Sequence, residues 1–151
     1  MKPAAATLAL VFLLAGCGGS GSSTLSKADL GKQAGAICTT ASRDLGAVPQ
    51  PANIQDANQA ATYFGKVVTI ADDAMTKLKK LKADGSVKGA WKTYIDKQQQ
   101  ETDLFHTVLR KAKAKDRSGL TDLQKASALD NQVNAAATAA GVPSCGKSSN
   151  G

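Results

Sequence analysis

The sequence predicts an all-α protein built as an up-down-up-down four-helix bundle. Three observations carry that expectation. Four stretches place apolar residues at three- and four-residue steps, the spacing of one helix face, and no stretch shows the alternation of a strand. Helix-stopping residues stand between or after the stretches: Pro49 and Pro51, Asp84-Gly85, and Gly141 followed by Pro143. The connections are short, which favours antiparallel neighbours in a bundle.

The chain begins with a segment outside the bundle. Residues 1–16, MKPAAATLALVFLLAG, carry one lysine, Lys2, and then an uncharged run ending in Val11-Phe12-Leu13-Leu14. This is the basic region and apolar region of an export signal. The apolar part falls short of the about 20 residues that span a bilayer. Leu14-Ala15-Gly16-Cys17 resembles the bacterial lipobox, an aliphatic residue, a small residue, Gly or Ala, then cysteine, and matches it at every position. The resemblance implies that the thiol of Cys17 takes a diacylglycerol, that the signal is cut before it, and that the domain sits on the outer face of a membrane. The Gly/Ser run after Cys17 has the composition of a flexible tether. We therefore expect a signal peptide over 1–16, the lipidated Cys17 and its tether over 17–25, a four-helix domain over 26–145 and a disordered tail over 146–151.

The first helix is expected over about 26–46. Ser26 opens it, with Asp29 in the partner position of a capping box, and Leu30, Ala34, Ile37, Cys38, Ala41 and Leu45 share its face. The second is expected over about 53–83, with Asn53 as N-cap and a stripe of Ala60, Phe64, Val67, Val68, Ala71, Met75, Leu78 and Leu81. Lysines at 77, 79, 80 and 82 crowd its last turns, where cations suit the helix dipole. The third is expected over about 86–115, with Val87, Trp91, Tyr94, Ile95, Phe105, Val108, Leu109 and Ala112 on one face and a middle, Asp96 to Asp103, that is polar all round. The fourth is expected over about 118–140, along Leu120, Leu123, Ala126, Leu129, Val133, Ala136, Ala137 and Ala140. Gly31, Gly35 and the alanine-rich run 135–140 are small enough to let helices approach closely.

With Cys17 assigned to the lipid, Cys38 and Cys145 remain, in a compartment that oxidises thiols. An even pair is what a disulfide requires. A two-thiolate metal site is the alternative, but it needs further ligands, and His106 is the chain's only histidine. Because Cys38 lies well inside the first helix, residues 142–145 must fold back along it to reach its thiol. From Ala36-Ile37-Cys38 to Gly141-Val142-Pro143-Ser144-Cys145 the chain resembles small secreted or lipid-anchored helical proteins common in actinobacteria. Their shared features are a cysteine in the first helix, a proline-bearing loop, an aromatic pair such as Trp91/Tyr94, and a final Gly-x-x-x-Cys. That likeness implies a fold and a location, and no chemistry.

Other motifs have ordinary readings. Residues 141–148, GVPSCGKS, match the phosphate-loop pattern, but that loop needs a strand before it and a helix after it. Here a helix precedes, and Cys145 is wanted for the disulfide. His106, near Glu101 and Asp103, reads as a half-exposed structural histidine. Asp72-Asp73 and Glu101/Asp103 read as solvated carboxylates, with Asp73 and Lys77 as an i,i+4 pair. Trp91 and Tyr94 read as bundle core near a helix end.

Without Lys2 the chain keeps a surplus of six positive charges. That suits an acidic partner: anionic lipid, an anionic envelope polymer or an acidic protein. Nucleic acid is not expected outside the cell. Lys77, Lys79, Lys80, Lys82, Lys88 and Lys92 should gather at the tethered end of the bundle, as a candidate membrane-facing cluster. No catalytic residue, cofactor or metal is expected. The first functional expectation is a non-enzymatic module that interacts with a protein or the envelope. The second is a carrier that holds a small apolar or anionic ligand between its helices. A cavity behind Trp91 and Phe105 would favour the carrier, and a filled core with an exposed apolar patch the interaction module.

Overall fold

The computed structural model describes residues 24–146. The expected signal, Cys17, most of the expected tether and the expected tail from residue 147 lie outside the described residues. Helix α1 spans Lys27–Gly46, α2 Ala57–Leu78, α3 Lys88–Lys113 and α4 Gly119–Ala139, and a single 3-10 turn over Pro143–Cys145 follows. Each helix runs antiparallel to the one before it. Leu25 pairs with Ala83, which sets the start of α1 beside the end of α2. Asp72 meets His106 and Lys79 meets Gln99 between α2 and α3. Lys97 meets Gln132 and Lys111 meets Asp122 between α3 and α4. This is the up-down-up-down four-helix bundle that the periodicity predicts.

The helix ends show why the boundaries differ from those expected. At α1 the Ser26 hydroxyl accepts the Asp29 N–H at 3.2 Å and donates to the Asp29 carboxylate at 2.7 Å, a capping box with aspartate in the partner role. Helix α2 starts later than expected because Asp56, not Asn53, caps it: its carboxylate accepts the N–H groups of Asn58 and Gln59, both at 2.9 Å. Asn53 instead folds the preceding turn, accepting the Gln55 N–H at 2.9 Å. The expected run to residue 83 also ends early. After Leu78 the bonds tighten to i→i−3, Lys80 to Lys77 at 3.2 Å and Leu81 to Leu78 at 3.0 Å, and Ala83 then pairs with Leu25. Asp84 shapes the turn that leads into α3 rather than the end of α2, because its side chain accepts from the Ser86 N–H and hydroxyl at 3.0 and 2.6 Å.

Helices α3 and α4 end in the same Schellman turn. In α4, Gly141 takes the left-handed position with φ +78°, and Val142 N–H bonds Ala137 at 2.9 Å. In α3 the corresponding residue is Lys115, with φ +57°, and Asp116 N–H bonds Lys111 at 2.9 Å.

The buried residues form two clusters. The larger, around Leu30, Ala34, Cys38, Leu78, Trp91, Tyr94, Val133, Ala137 and Val142, fills the half of the bundle where Leu25 meets Ala83. The smaller, Ala60, Phe64, Val67 and Val108, joins α2 to α3 in the other half. Helices α1 and α4 stand further apart than the other neighbours, with no Cα of one within 8 Å of a Cα of the other. Residues 141–146 lie between them as a strap. A Cβ on Gly31 would sit 2.8 Å from the Gly141 carbonyl oxygen, and one on Gly35 would sit 3.0 Å from the Ser144 hydroxyl. On its other side, Gly146 rests on Asn134 and Ala137 of α4. The small residues of α1 therefore admit this strap, not a neighbouring helix. The strap runs in the direction of α1 and delivers Cys145 to Cys38, 107 residues away in sequence, in a disulfide with Cα atoms 5.0 Å apart.

Two expected borders shift. Leu25 is tied down, its N–H bonding Lys82 at 2.6 Å and its carbonyl accepting from Asp84 at 2.9 Å, so the tether stops short of it. Gly146 is buried against α4 and belongs to the domain rather than to the tail.

Candidate functional site

The strap spaces α1 from α4 only as far as Cys38. Beyond the disulfide none of the described residues fills the gap, and a cleft of about 680 Å³ opens among all four helices. Ala41 and Leu45 of α1, Phe64, Ala71 and Ala74 of α2, Phe105 of α3, and Leu123 and Ala126 of α4 give it apolar walls. Cys38 and Cys145 close its inner end. The volume falls in the range of small-molecule sites.

Polar side chains converge on one side of this cleft. Tyr94, Gln98, Glu101 and Phe105 follow one another at three- and four-residue steps on α3, with Thr102 four after Gln98, so they share a face. The Tyr94 hydroxyl, fully buried, lies 3.8 Å from the Cys38 sulfur and donates to Gln98 Oε1 at 3.3 Å. Gln98 in turn donates from Nε2 to Glu101 Oε2 at 2.7 Å. Asp130 of α4 faces Glu101 within hydrogen-bonding reach. Burial pushes the Glu101 carboxyl up to about 8, and the hydrogen bond and negative charge of Asp130 push the same way against the opposing pull of Gln98. Burial, helped by Glu101, raises the Tyr94 phenol as well. Glu101 thus keeps a proton at neutral pH, since burial and a like charge close by both disfavour its ionised form.

A second hollow, about 500 Å³, lies at the far end of the bundle between residues 53–58 and the α3–α4 turn. Helix ends and the two connections line it, and its bonded polar groups Asn53, Asp56 and Asp116 are engaged with backbone N–H groups of their own turns. The interhelical cleft is therefore the candidate site. Among the described residues no three His, Cys, Asp or Glu side chains are grouped to hold a metal ion.

The residues singled out in the sequence fall as follows. Cys38 and Cys145 form the disulfide at the cleft's inner end. Lys77, Lys79, Lys80, Lys82, Lys88 and Lys92 collect around the α2–α3 connection, beside Leu25. Lys77 and Lys92 are held by Asp73 and Asp96, each at 2.6 Å, and Lys79 by Gln99. Lys80, Lys82 and Lys88 are exposed, with no salt bridge among the described residues. His106 bonds Asp72 at 2.9 Å on the exposed α2–α3 surface, away from the cleft. Trp91 is core: its indole N–H reaches the Leu81 carbonyl at 3.3 Å and its ring packs on Tyr94 at 5.3 Å. The helix–turn setting of Gly141 to Cys145 lacks the preceding strand of a phosphate loop.

The sequence sets Glu101 beside Asp103 as a pair of solvated carboxylates. The structure turns Glu101 inward, to Asp130, and leaves Asp103 outside with Gln99 at 2.7 Å. The signal was present: Gln98 and Glu101 stand where the stripe running from Tyr94 to Phe105 calls for apolar residues. The polar middle of the third helix is the floor of the site.

No family model matches this chain, and neither a curated protein nor a solved structure shows significant similarity to it.

Proposed function

We propose that the domain is a carrier, which holds a small, elongated and largely apolar molecule in the cleft between its helices. The cleft itself carries the reading, because a bundle whose one half is closed keeps the other half open and lines it with a bonded polar row. The interaction-module reading has less support: Leu120, 37% exposed, is the single large apolar side chain exposed among the described residues, so no apolar patch presents itself to a protein partner. The reading is non-enzymatic, with Glu101 and Asp130 holding a ligand rather than transforming it.

The setting we propose is the outer face of a membrane, with Cys17 bearing the lipid. The chain enters the domain at Leu25, beside Lys80, Lys82 and Lys88, and those lysines would then face anionic headgroups, each contributing up to about 1 kcal/mol. Reversing the three charges in a chain carrying Cys17→Ser is expected to weaken binding to anionic vesicles. Unchanged binding would leave these lysines as a solvated helix end.

Native mass spectrometry of the protein extracted from its own membranes tests the main reading. The expected result is a diacylglycerol mass on Cys17 and a reproducible non-covalent adduct. The adduct should vanish in Ala74→Trp, which fills the cleft. An adduct that survives this substitution, or none at all, would remove the carrier reading.

A further inference from the structure

Building on the carrier reading, we propose that the cleft selects molecules with a protonated amine head, the ammonium held between Glu101 and Asp130 and the apolar body lying along Leu45, Phe64 and Phe105. The placement of charge is the first reason. The chain has 19 basic and 12 acidic side chains, yet its only glutamate stands half-buried in this cleft, facing an aspartate. The second reason is what surrounds the pair. Helix α1 contributes no charged group to the lining, α2 only the Tyr63 phenol, α3 Tyr94 and Glu101, and α4 Asp130. The strap contributes Cys145, which is oxidised. Among the described residues no lysine, arginine or histidine lines the cleft, so no side chain there neutralises the two acids.

An ammonium supplies what the pair lacks. It brings a positive charge and three N–H donors to a pair that is acceptor-only once its proton has left, and charge-assisted bonds of this kind are about twice as strong as neutral ones. Gln98 occupies Glu101 Oε2 at 2.7 Å, which fixes the carboxylate and leaves Oε1 for the ligand. A carboxylate or phosphate head would meet like charge, so the anionic ligands suggested by the basic composition are excluded from this site. Amine binding displaces the Glu101 proton to solvent. Affinity therefore rises with pH while Glu101 is being ionised, and falls again only where the amine itself loses its proton.

The test uses the full lipidated chain in nanodiscs, with empty nanodiscs as blank, titrated calorimetrically with octylamine, octan-1-ol and octanoate. Octylamine is expected to bind at least about tenfold more tightly than octan-1-ol, with octanoate weakest, and to weaken by about fivefold or more between pH 8 and pH 6. E101Q/D130N should lose the amine preference while still binding octan-1-ol. E101Q alone gives the same comparison if the double variant fails to fold. Equal affinity for amine and alcohol, or a preference that survives these substitutions, would overturn the head-group assignment and leave the carrier standing. If none of the three bound the unaltered chain, the carrier reading would fall and this inference with it.

Discussion

The two halves of this bundle are built from the same four helices and reach opposite ends. In the half that begins at Leu25, residues 141–146 wedge between α1 and α4, and Leu30, Ala34, Ala137, Ala140 and Val142 have no measurable exposure. In the other half the same two helices are held apart with none of the described residues between them, and Leu45, Ile54, Tyr63, Phe105 and Leu123 stay partly open. The difference comes from six residues of irregular chain rather than from helix propensity or apolar content. A spacer that fills only part of a gap leaves a cleft in the rest of it.

The disulfide sets the largest contrast. It closes a loop of 107 residues, for which loop-closure entropy gives about 4–5 kcal/mol as an upper value. Replacing Cys38 and Cys145 together by serine is expected to lower Tm by more than about 10 °C. Amide exchange should rise first at the strap and the adjoining face of α1, and an even rise across all four helices would deny the closed half its separate standing.

The next contrast uses one substitution twice. Ala34→Leu forces a larger side chain into a site with no exposure and should cost about 1–3 kcal/mol. Ala74→Leu adds the same atoms to the cleft wall and should cost less than about 1 kcal/mol or stabilise, because the space is there. Equal losses in thermal or urea unfolding would mean that the cleft is no real void.

Glycines give a similar pair. Gly31→Ala must push the strap backbone, 2.8 Å away, and should destabilise by about 1–3 kcal/mol. Gly65→Ala, in α2 with nothing within 4 Å, should stabilise by about 0.5–1 kcal/mol.

The open half should also show its acids in the pH profile of stability. Glu101 ionises less readily folded than unfolded, so its contribution is present below the ordinary carboxylate range and is lost as pH rises toward about 8. Asp122, bonded by Lys111 at 2.6 Å and Lys125 at 3.0 Å, is held below that range and acts with the opposite sign, losing its contribution as pH falls through its folded value. Glu101→Gln should flatten the alkaline arm of a Tm–pH curve and Asp122→Asn the acid arm. The smallest effect concerns the α3 terminus. Lys115→Gly relieves a left-handed side-chain residue and should add about 1 kcal/mol in urea unfolding.

Much of this fold could be read from residue order, because helix faces and stops are local. The stripes of α1 to α4, the Ser26 capping box and the Gly141 terminus all depend on residues within one or two turns. The strap was partly legible, since a cysteine in mid-helix requires the chain to return along it. Its partner surface was not: Gly31 and Gly35 read equally well as a seat for a helix. The choice between Asn53 and Asp56 as cap depended on which of two good candidates a neighbouring turn consumed. The cleft was the least legible element, because a void is a property of four separated segments at once. Only the mismatch between the polar Gln98 and Glu101 and the stripe they interrupt marked it in advance.

The position of Cys145 also orders the assembly of the molecule in time. The α2–α3 and α3–α4 contacts join neighbours in sequence, so that part of the bundle can form early. The seat on α1 needs residues 141–146, more than 100 positions downstream, and stays unfilled until they arrive. Until then Cys38 is a thiol beside an open groove. Residues 141–146 thus complete the surroundings of the first helix, and the oxidation of Cys38 records that the strap has reached its seat.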